Sequence, residues 1–197
     1  MRKTDIILAG VGGQGILSVA TIIGHAAVAS GLTLKQAETH GMSQRGGDVQ
    51  SHLRLSEGAI ASDLIPMGRC DIILSGEPME SLRYLPYLAP EGYLITSSTP
   101  LVNIPNYPNM EEVMARIEAT PRHIVLDAEQ LAKAAGSSRA ANVVMLGAAS
   151  PYIMIDFAKF EEGICSIFER KGADVVEANL KALRAGREYA DSLVKKS

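Results

Sequence analysis

The stretch Ile6–Gly15, I-I-L-A-G-V-G-G-Q-G, constrains this chain more than any other. Ile6, Ile7, Leu8 and Ala9 form a short apolar run, as expected of a strand covered on both faces. Gly10, Gly12 and Gly15 then fall at the spacing G-x-G-x-x-G, with Gly13 as an extra glycine and Gln14 beside it. Such a turn lets backbone approach a ligand closely, and the helix it opens favours an anion at its N-terminus. Two readings stay open at this point: a ligand-binding turn, and a tight turn that only packs a helix on a sheet.

The elements that follow alternate. Ile16 to Ser30 has helical spacing, with small residues suited to packing on a sheet, and Leu32 to Ala37 is a second strand. Together these predict a right-handed βαβ unit. Val49 to Leu55 alternates, with Gln50, His52 and Arg54 on a polar face that would meet solvent or a partner. Further strands are predicted at Asp71–Ser75, Gly92–Ser97 and Arg122–Leu126, and helices at Met79–Leu88, Met110–Ala119, Ala128–Ala135 and Asn142–Ala149. Two amphipathic helices, Phe157–Arg170 and Ala173–Lys195, close the chain. The pattern predicts a doubly wound, Rossmann-like three-layer α/β fold with a mainly parallel sheet and C-terminal helices, in one domain over residues 1–197. The turns after its strands, Gly10–Gly15, Glu38–Gly47 and Gly76–Pro78, should meet at one edge.

Composition narrows the function. A net charge of −3 gives no electrostatic case for nucleic acid or an anionic membrane. No apolar run approaches the roughly 18 residues of a membrane span, and the basic start runs straight into the first strand, so a cytoplasmic protein is expected. Cys70 and Cys165 lie far apart, and no His, Cys and carboxylate cluster has metal-ligand spacing, so no metal site is expected.

The second unusual stretch is E-T-H-G-M-S-Q-R-G-G at Glu38–Gly47. Glu38 sits about where an ordinary dinucleotide fold places its ribose-binding acid, yet it leads into a loop more specialised than nucleotide binding requires. His40 is either an acid–base group or a shaper of the loop backbone. Arg45 suits the grip of a phosphate or carboxylate; its bland role is a salt bridge to Glu38 or Asp48. Ser43 lacks the context of a nucleophile. Glu77, before Pro78, either opens a helix or faces the cleft.

The two glycine-rich stretches together carry a resemblance that neither carries alone. G-V-G-G-Q-G followed by E-T-H-G-M-S-Q-R-G-G-D-V-Q-S-H-L-R at Glu38–Arg54 resembles the gamma-type domain of 2-oxoacid:ferredoxin oxidoreductases, and within it the beta-subunit type of the indolepyruvate enzymes. G-E-P-M-E-S-L-R-Y-L at Gly76–Leu85 and N-V-V-M-L-G-A at Asn142–Ala148 extend the likeness over nearly the whole chain. The resemblance implies a subunit that acts in oxidative decarboxylation of a 2-oxoacid, with coenzyme A as acyl acceptor and ferredoxin as electron acceptor. It further implies that thiamine diphosphate, Mg2+ and [4Fe-4S] clusters belong to a larger partner subunit. The expected binding residues are Gly10, Gly12, Gly13, Gln14, Gly15, Glu38, Thr39, Gly41, Met42, Ser43, Gln44, Gly46 and Gly47, with His40 and Arg45 as catalytic candidates. The reading from another class is a stand-alone NAD(P)-dependent dehydrogenase using Gly10–Gly15 and Glu38; a third is a non-catalytic scaffold.

Overall fold

The computed structural model describes residues 2–40 and 46–194, with only the backbone of His40 and Val194. Six strands, β1 (Lys3–Val11), β2 (Thr33–His40), β3 (Asp48–Ser56), β4 (Cys70–Ser75), β5 (Leu88–Ser97) and β6 (His123–Leu126), form one sheet in the order β2-β3-β1-β4-β5-β6. Pairs β1–β4, β4–β5 and β5–β6 are parallel, while β3 runs antiparallel to both β1 and β2. Every strand but β3 therefore points the same way, and the predicted mainly parallel α/β fold is borne out.

Helices cover both faces. Ile6, Leu8, Ile72, Leu74 and Ile95 point into one core with α1 (Ile16–Ala29), α4 (Ala128–Ala134), α5 (Ala141–Ala149), α6 (Phe157–Phe168) and α7 (Ala173–Val194). Ile7, Ala9, Ile73 and Leu94 point the other way, where α3 (Met110–Glu118) adds Val113 and Ile117. The alternation explains why the strands read as continuous apolar runs: both faces are dry. Each such Ile or Leu contributes about 1.5–3 kcal/mol relative to exposure. No helix among the described residues is long and apolar enough to cross a membrane.

Three expectations need correction. β1, α1 and β2 do form a parallel unit, but β3 lies between the two strands. Alternation reports which face is buried, not which strand lies alongside. In consequence β3 is interior, and on its polar face Arg54 and His52 meet residues 57–69 of the same chain. Arg54 donates to the Ser62 and Leu64 carbonyls and to Asp5, and His52 Nδ1 accepts the Ile65 N–H at 3.0 Å. Burial works against the charge on Asp5, but the hydrogen bonds from Arg54 and Lys3 outweigh it and hold that carboxyl below its ordinary range. Finally, the helix predicted over Met79–Leu88 is α2 (Pro78–Arg83) alone. A 3-10 turn at Leu85–Tyr87 follows, and β5 starts at Leu88, because Pro86 has no N–H to continue a helix.

His52 gives this face a pH dependence. Burial first and the Arg54 charge second push its pKa below the ordinary 6.5. The unfolded chain therefore binds that proton more readily, so the His52 contribution to stability is constant well above pH 6.5 and is lost as pH drops from 6.5 through the lower folded value. Urea midpoints of the parent chain between about pH 5 and 8 should show this slope, and His52→Gln should remove it.

Candidate functional site

The strand order places the site. From β1 the chain leaves toward β2 on one side, whereas β4, β5 and β6 build the other, so the carboxyl ends of β1 and β4 flank a crevice of the kind where ligands bind in open α/β sheets. The glycine turn lies at its mouth. β1 continues to Val11, Gly13 and Gly15 take positive φ of 107° and 76°, and α1 begins at Ile16. Gly15 thus serves as a left-handed N-cap that no β-carbon-bearing residue adopts cheaply.

The spacing matches a dinucleotide fingerprint, but the geometry differs. Gly10 stays in the ladder opposite Val49. The Gly12 N–H donates to the Gly47 carbonyl at 2.8 Å, and the Val11 N–H to Gln14 Oε1 at 2.8 Å. Among the described residues, no acceptor is paired with the N–H of Gly13 or Gly15. Those two donors, beside the N-terminus of α1, are what the turn offers an anion.

Behind the turn opens a cleft of about 510 Å³. Leu8, Ile16, Val19, Leu74 and Met145 make its apolar floor, while Gln14, Ser97, Thr99, Glu129, Arg139 and Asn142 supply polar groups. An apolar cavity with a few polar groups suits an organic ligand. Asn142, at the start of α5, donates to the Gly15 carbonyl at 3.1 Å and ties that helix to the turn. Sequence reasoning missed Thr99, Arg139 and Asn142 as cleft residues. Thr99 and Arg139 had only position as a signal, after a strand or before a helix, and Asn142 opens the N-V-V-M-L-G-A stretch of the resemblance; no spacing linked the three to the glycines.

The second glycine-rich stretch is placed differently from expectation. Glu38, Thr39 and His40 are not loop residues but the end of β2, opposite Ser51, Gln50 and Val49. Returning antiparallel, β3 keeps its partner in the ladder that far. Glu38 is exposed on the edge strand, accepts from Gln36, and is separated from β1 by β3. A ribose-binding acid beside β1 is therefore not formed. Gly46 and Gly47 do reach the site: Gly47 accepts from Gly12, and the Gly46 carbonyl accepts from the Asn103 side chain. The expectations on Gly41, Met42, Ser43, Gln44 and Arg45, and on the His40 side chain, lie outside the described residues.

Of the two readings of Glu77 the helix one holds: it opens α2 and is not among the residues that line the cleft. It is 0 % exposed and caps α2 by accepting the Glu80 N–H at 2.8 Å. Its other oxygen accepts the Leu101 N–H at 3.3 Å and the Tyr107 hydroxyl. Burial, then the bond to Glu77, pushes the Tyr107 hydroxyl well above its ordinary pKa. One buried carboxylate thus pins residues 98–109, which supply Thr99, Pro100 and Leu101 to the cleft.

The sequence profile of the pyruvate ferredoxin/flavodoxin oxidoreductase family matches residues 5–189. The chain belongs to that family. It is 37% identical to the indolepyruvate oxidoreductase subunit IorB of Archaeoglobus fulgidus, over 96% of both chains. The keto/oxoacid ferredoxin oxidoreductase gamma subunit of Geobacter sulfurreducens shares its fold, with a TM-score of 0.70, 25% identity, and 96% of this chain and 99% of that one covered. The 2-oxoglutarate:ferredoxin oxidoreductase of Magnetococcus marinus, solved with 2-oxoglutarate, coenzyme A and succinyl-CoA bound, superposes with a TM-score of 0.78 at 23% identity. That match covers 98% of this chain and 32% of the larger one, so the family's fold recurs there as part of a longer polypeptide.

The thiols of this oxidoreductase-family chain do not fit an iron–sulfur cluster. Cys70 is buried in β4 with its Sγ 3.0 Å from the Ile72 carbonyl, and burial pushes its thiol up to about 12. Cys165 is exposed on α6. Two separate thiols cannot supply the four ligands of such a cluster. Among the described residues, no three His, Cys, Asp or Glu side chains come together to hold a metal ion.

Proposed function

We propose that this chain is the smaller subunit of a cytoplasmic 2-oxoacid:ferredoxin oxidoreductase acting on indolepyruvate or a related aryl pyruvate, and that residues 1–197 work as one gamma-type domain. The observation that carries the reading is the match to an indolepyruvate oxidoreductase subunit over 96% of both chains. The reaction is oxidative decarboxylation, with the acyl group passing to coenzyme A and two electrons to ferredoxin. Thiamine diphosphate, Mg2+ and [4Fe-4S] clusters, which supply the carbanion chemistry and the electron path, belong to the larger partner subunit in this reading. This chain's residues bind and orient. The N–H groups of Gly13 and Gly15, with the Arg45 guanidinium, hold an anionic group of coenzyme A or of the 2-oxoacid. The apolar floor of the cleft excludes water from the ligand's organic part. His40 is the acid–base candidate, and the stretch Glu38–Gly47 also docks on the partner.

A stand-alone nicotinamide enzyme fits less well, because Gly47 and Gln14 already occupy the Gly12 and Val11 donors and β3 separates Glu38 from β1.

The test is co-expression with the larger subunit, followed by a panel of 2-oxoacids with coenzyme A and a ferredoxin surrogate. Aryl pyruvates should be turned over only when both chains are present; activity of the larger chain alone would overturn the reading. Arg45→Ala should raise KM for coenzyme A or the 2-oxoacid about 10- to 100-fold, the effect of one charge-assisted hydrogen bond. Unchanged KM and turnover would remove Arg45 from the site. Variants of this stretch that weaken assembly yet spare catalysis at saturating partner would assign Glu38–Gly47 to docking alone.

A further inference from the structure

The β1–β4 ladder stops in an unusual way. Its last backbone bond is Gly76 N–H to the Ala9 carbonyl, at 3.0 Å. Bonds in a parallel ladder are evenly spaced, so the next donor and acceptor in line are the Val11 N–H and the Gly76 carbonyl. They do not pair with each other. The Gln14 carboxamide stands between them: Oε1 accepts the Val11 N–H at 2.8 Å, and Nε2 donates to the Gly76 carbonyl at 3.0 Å. Both sides of the amide are used, as a peptide group would use them.

We propose that Gln14 is a wedge, a positioning residue that holds the crevice open by inserting its carboxamide between a backbone donor and acceptor that would otherwise pair. Three observations meet on it. A β-carbon on Gly10 would lie 2.7 Å from Gln14 Oε1, and one on Gly76 would lie 3.0 Å from the same atom, so glycines line both sides of the carboxamide. Gln14 also lines the 510 Å³ cleft and a neighbouring cavity that opens toward Lys171 and Asp174, forming part of the wall they share. Finally, the Gln14 N–H donates to the Val11 carbonyl at 3.1 Å, so the same residue closes the turn that contains Gly12 and Gly13. Glutamine alone among near-isosteres both donates and accepts at neutral pH. Glutamate keeps the acceptor and turns a second oxygen on the Gly76 carbonyl; alanine has neither group and leaves Val11 and Gly76 free to join.

Couplings through hydrogen bonds in the isotope-labelled full-length chain test this directly. In the parent, the Val11 nitrogen should couple to the Gln14 side-chain carbonyl carbon, and the Gln14 side-chain nitrogen to the Gly76 carbonyl carbon. In Gln14→Ala, Val11 should couple to Gly76 instead. In Gln14→Glu, the Val11 coupling should persist while that to Gly76 is lost. A direct Val11–Gly76 coupling in the parent, or a Val11 N–H without a partner in Gln14→Ala, would overturn the wedge. In the reconstituted complex Gln14→Ala should raise KM for coenzyme A or the 2-oxoacid about ten-fold and lower kcat by less, an effect on the order of one hydrogen bond. Only this arm rests on the proposed function. Switched couplings with both KM values unmoved would leave the wedge in place and overturn the placing of coenzyme A or the 2-oxoacid in this cleft.

Discussion

Gly147→Ala should unfold at a much lower urea concentration than the parent chain, with a loss of about 3 kcal/mol or more. α5 and α7 pack backbone against backbone at two reciprocal notches. A β-carbon on Gly147 would lie 2.0 Å from the Leu183 carbonyl oxygen, and one on Gly186 would lie 1.9 Å from that of Val144. No rotamer change relieves either contact, because the obstacles are main chain. The helices must move apart, and Val144, Leu146 and Leu183, all buried, lose their close packing. Gly186→Ala should cost a similar amount, and the double variant less than the two together, since helices already separated no longer clash at the second notch. Gly24→Ala is the control. Its new methyl would meet only the Leu34 Cδ2 at 3.2 Å, a side-chain end that can shift, and alanine gains up to about 1 kcal/mol of helix propensity. A Gly147→Ala midpoint equal to that of the parent would show that the helices do not touch as described. The same displacement should reach the site, because α5 carries Asn142 against the Gly15 carbonyl.

The second large effect is expected at Glu77. Glu77→Ala removes one N-cap and leaves the Glu80 N–H, the Leu101 N–H and the Tyr107 hydroxyl without their acceptor. A lost cap costs about 1 kcal/mol, and a buried donor left unpaired about 1–3 kcal/mol. Water entering around the released loop recovers part of this, so a total of about 3 kcal/mol is expected. Tyr107→Phe deletes only one of the three bonds and should cost about 1 kcal/mol. Hydrogen exchange separates loop release from global loss. In Glu77→Ala the Leu101 amide should exchange far faster than in the parent, while amides in β1 and β4 change only with global stability. Unchanged protection at Leu101 would sink the idea that Glu77 pins residues 98–109. Since that segment lines the cleft with Thr99, Pro100 and Leu101, ligand binding should weaken in parallel.

Much of the fold was legible in the chain. The run Ile6–Ala9, the helical spacing after Ile16 and the strands at Asp71–Ser75 and Arg122–Leu126 rest on local periodicity, and the structure places strands and helices there. Gly10–Gly15 and Glu38–Arg54 together carried the family resemblance, which the match over residues 5–189 bears out. Errors arose where a local breaker or a distant partner outweighed the side-chain period: Pro86 ended α2 early, and the pairing of Leu88 with Cys70 extended β5 back beyond Gly92.

What the sequence determined by itself is the set of elements, the glycine turn that ends the first strand, and the family. These depend on side-chain period, backbone freedom and motif order, all written within short windows. Only the tertiary structure decided that β3 lies between β1 and β2, that Glu38 stands on the far edge strand, and that Gln14 enters the ladder between Val11 and Gly76. Only it brought Glu77 to Tyr107 and Gly147 to Leu183. Each of these is a contact between residues that no periodicity links. Strand order, and the fit of one backbone against another, follow from which surfaces close the core together, and a turn that spells a nucleotide fingerprint takes its meaning from the groups that reach its N–H donors first.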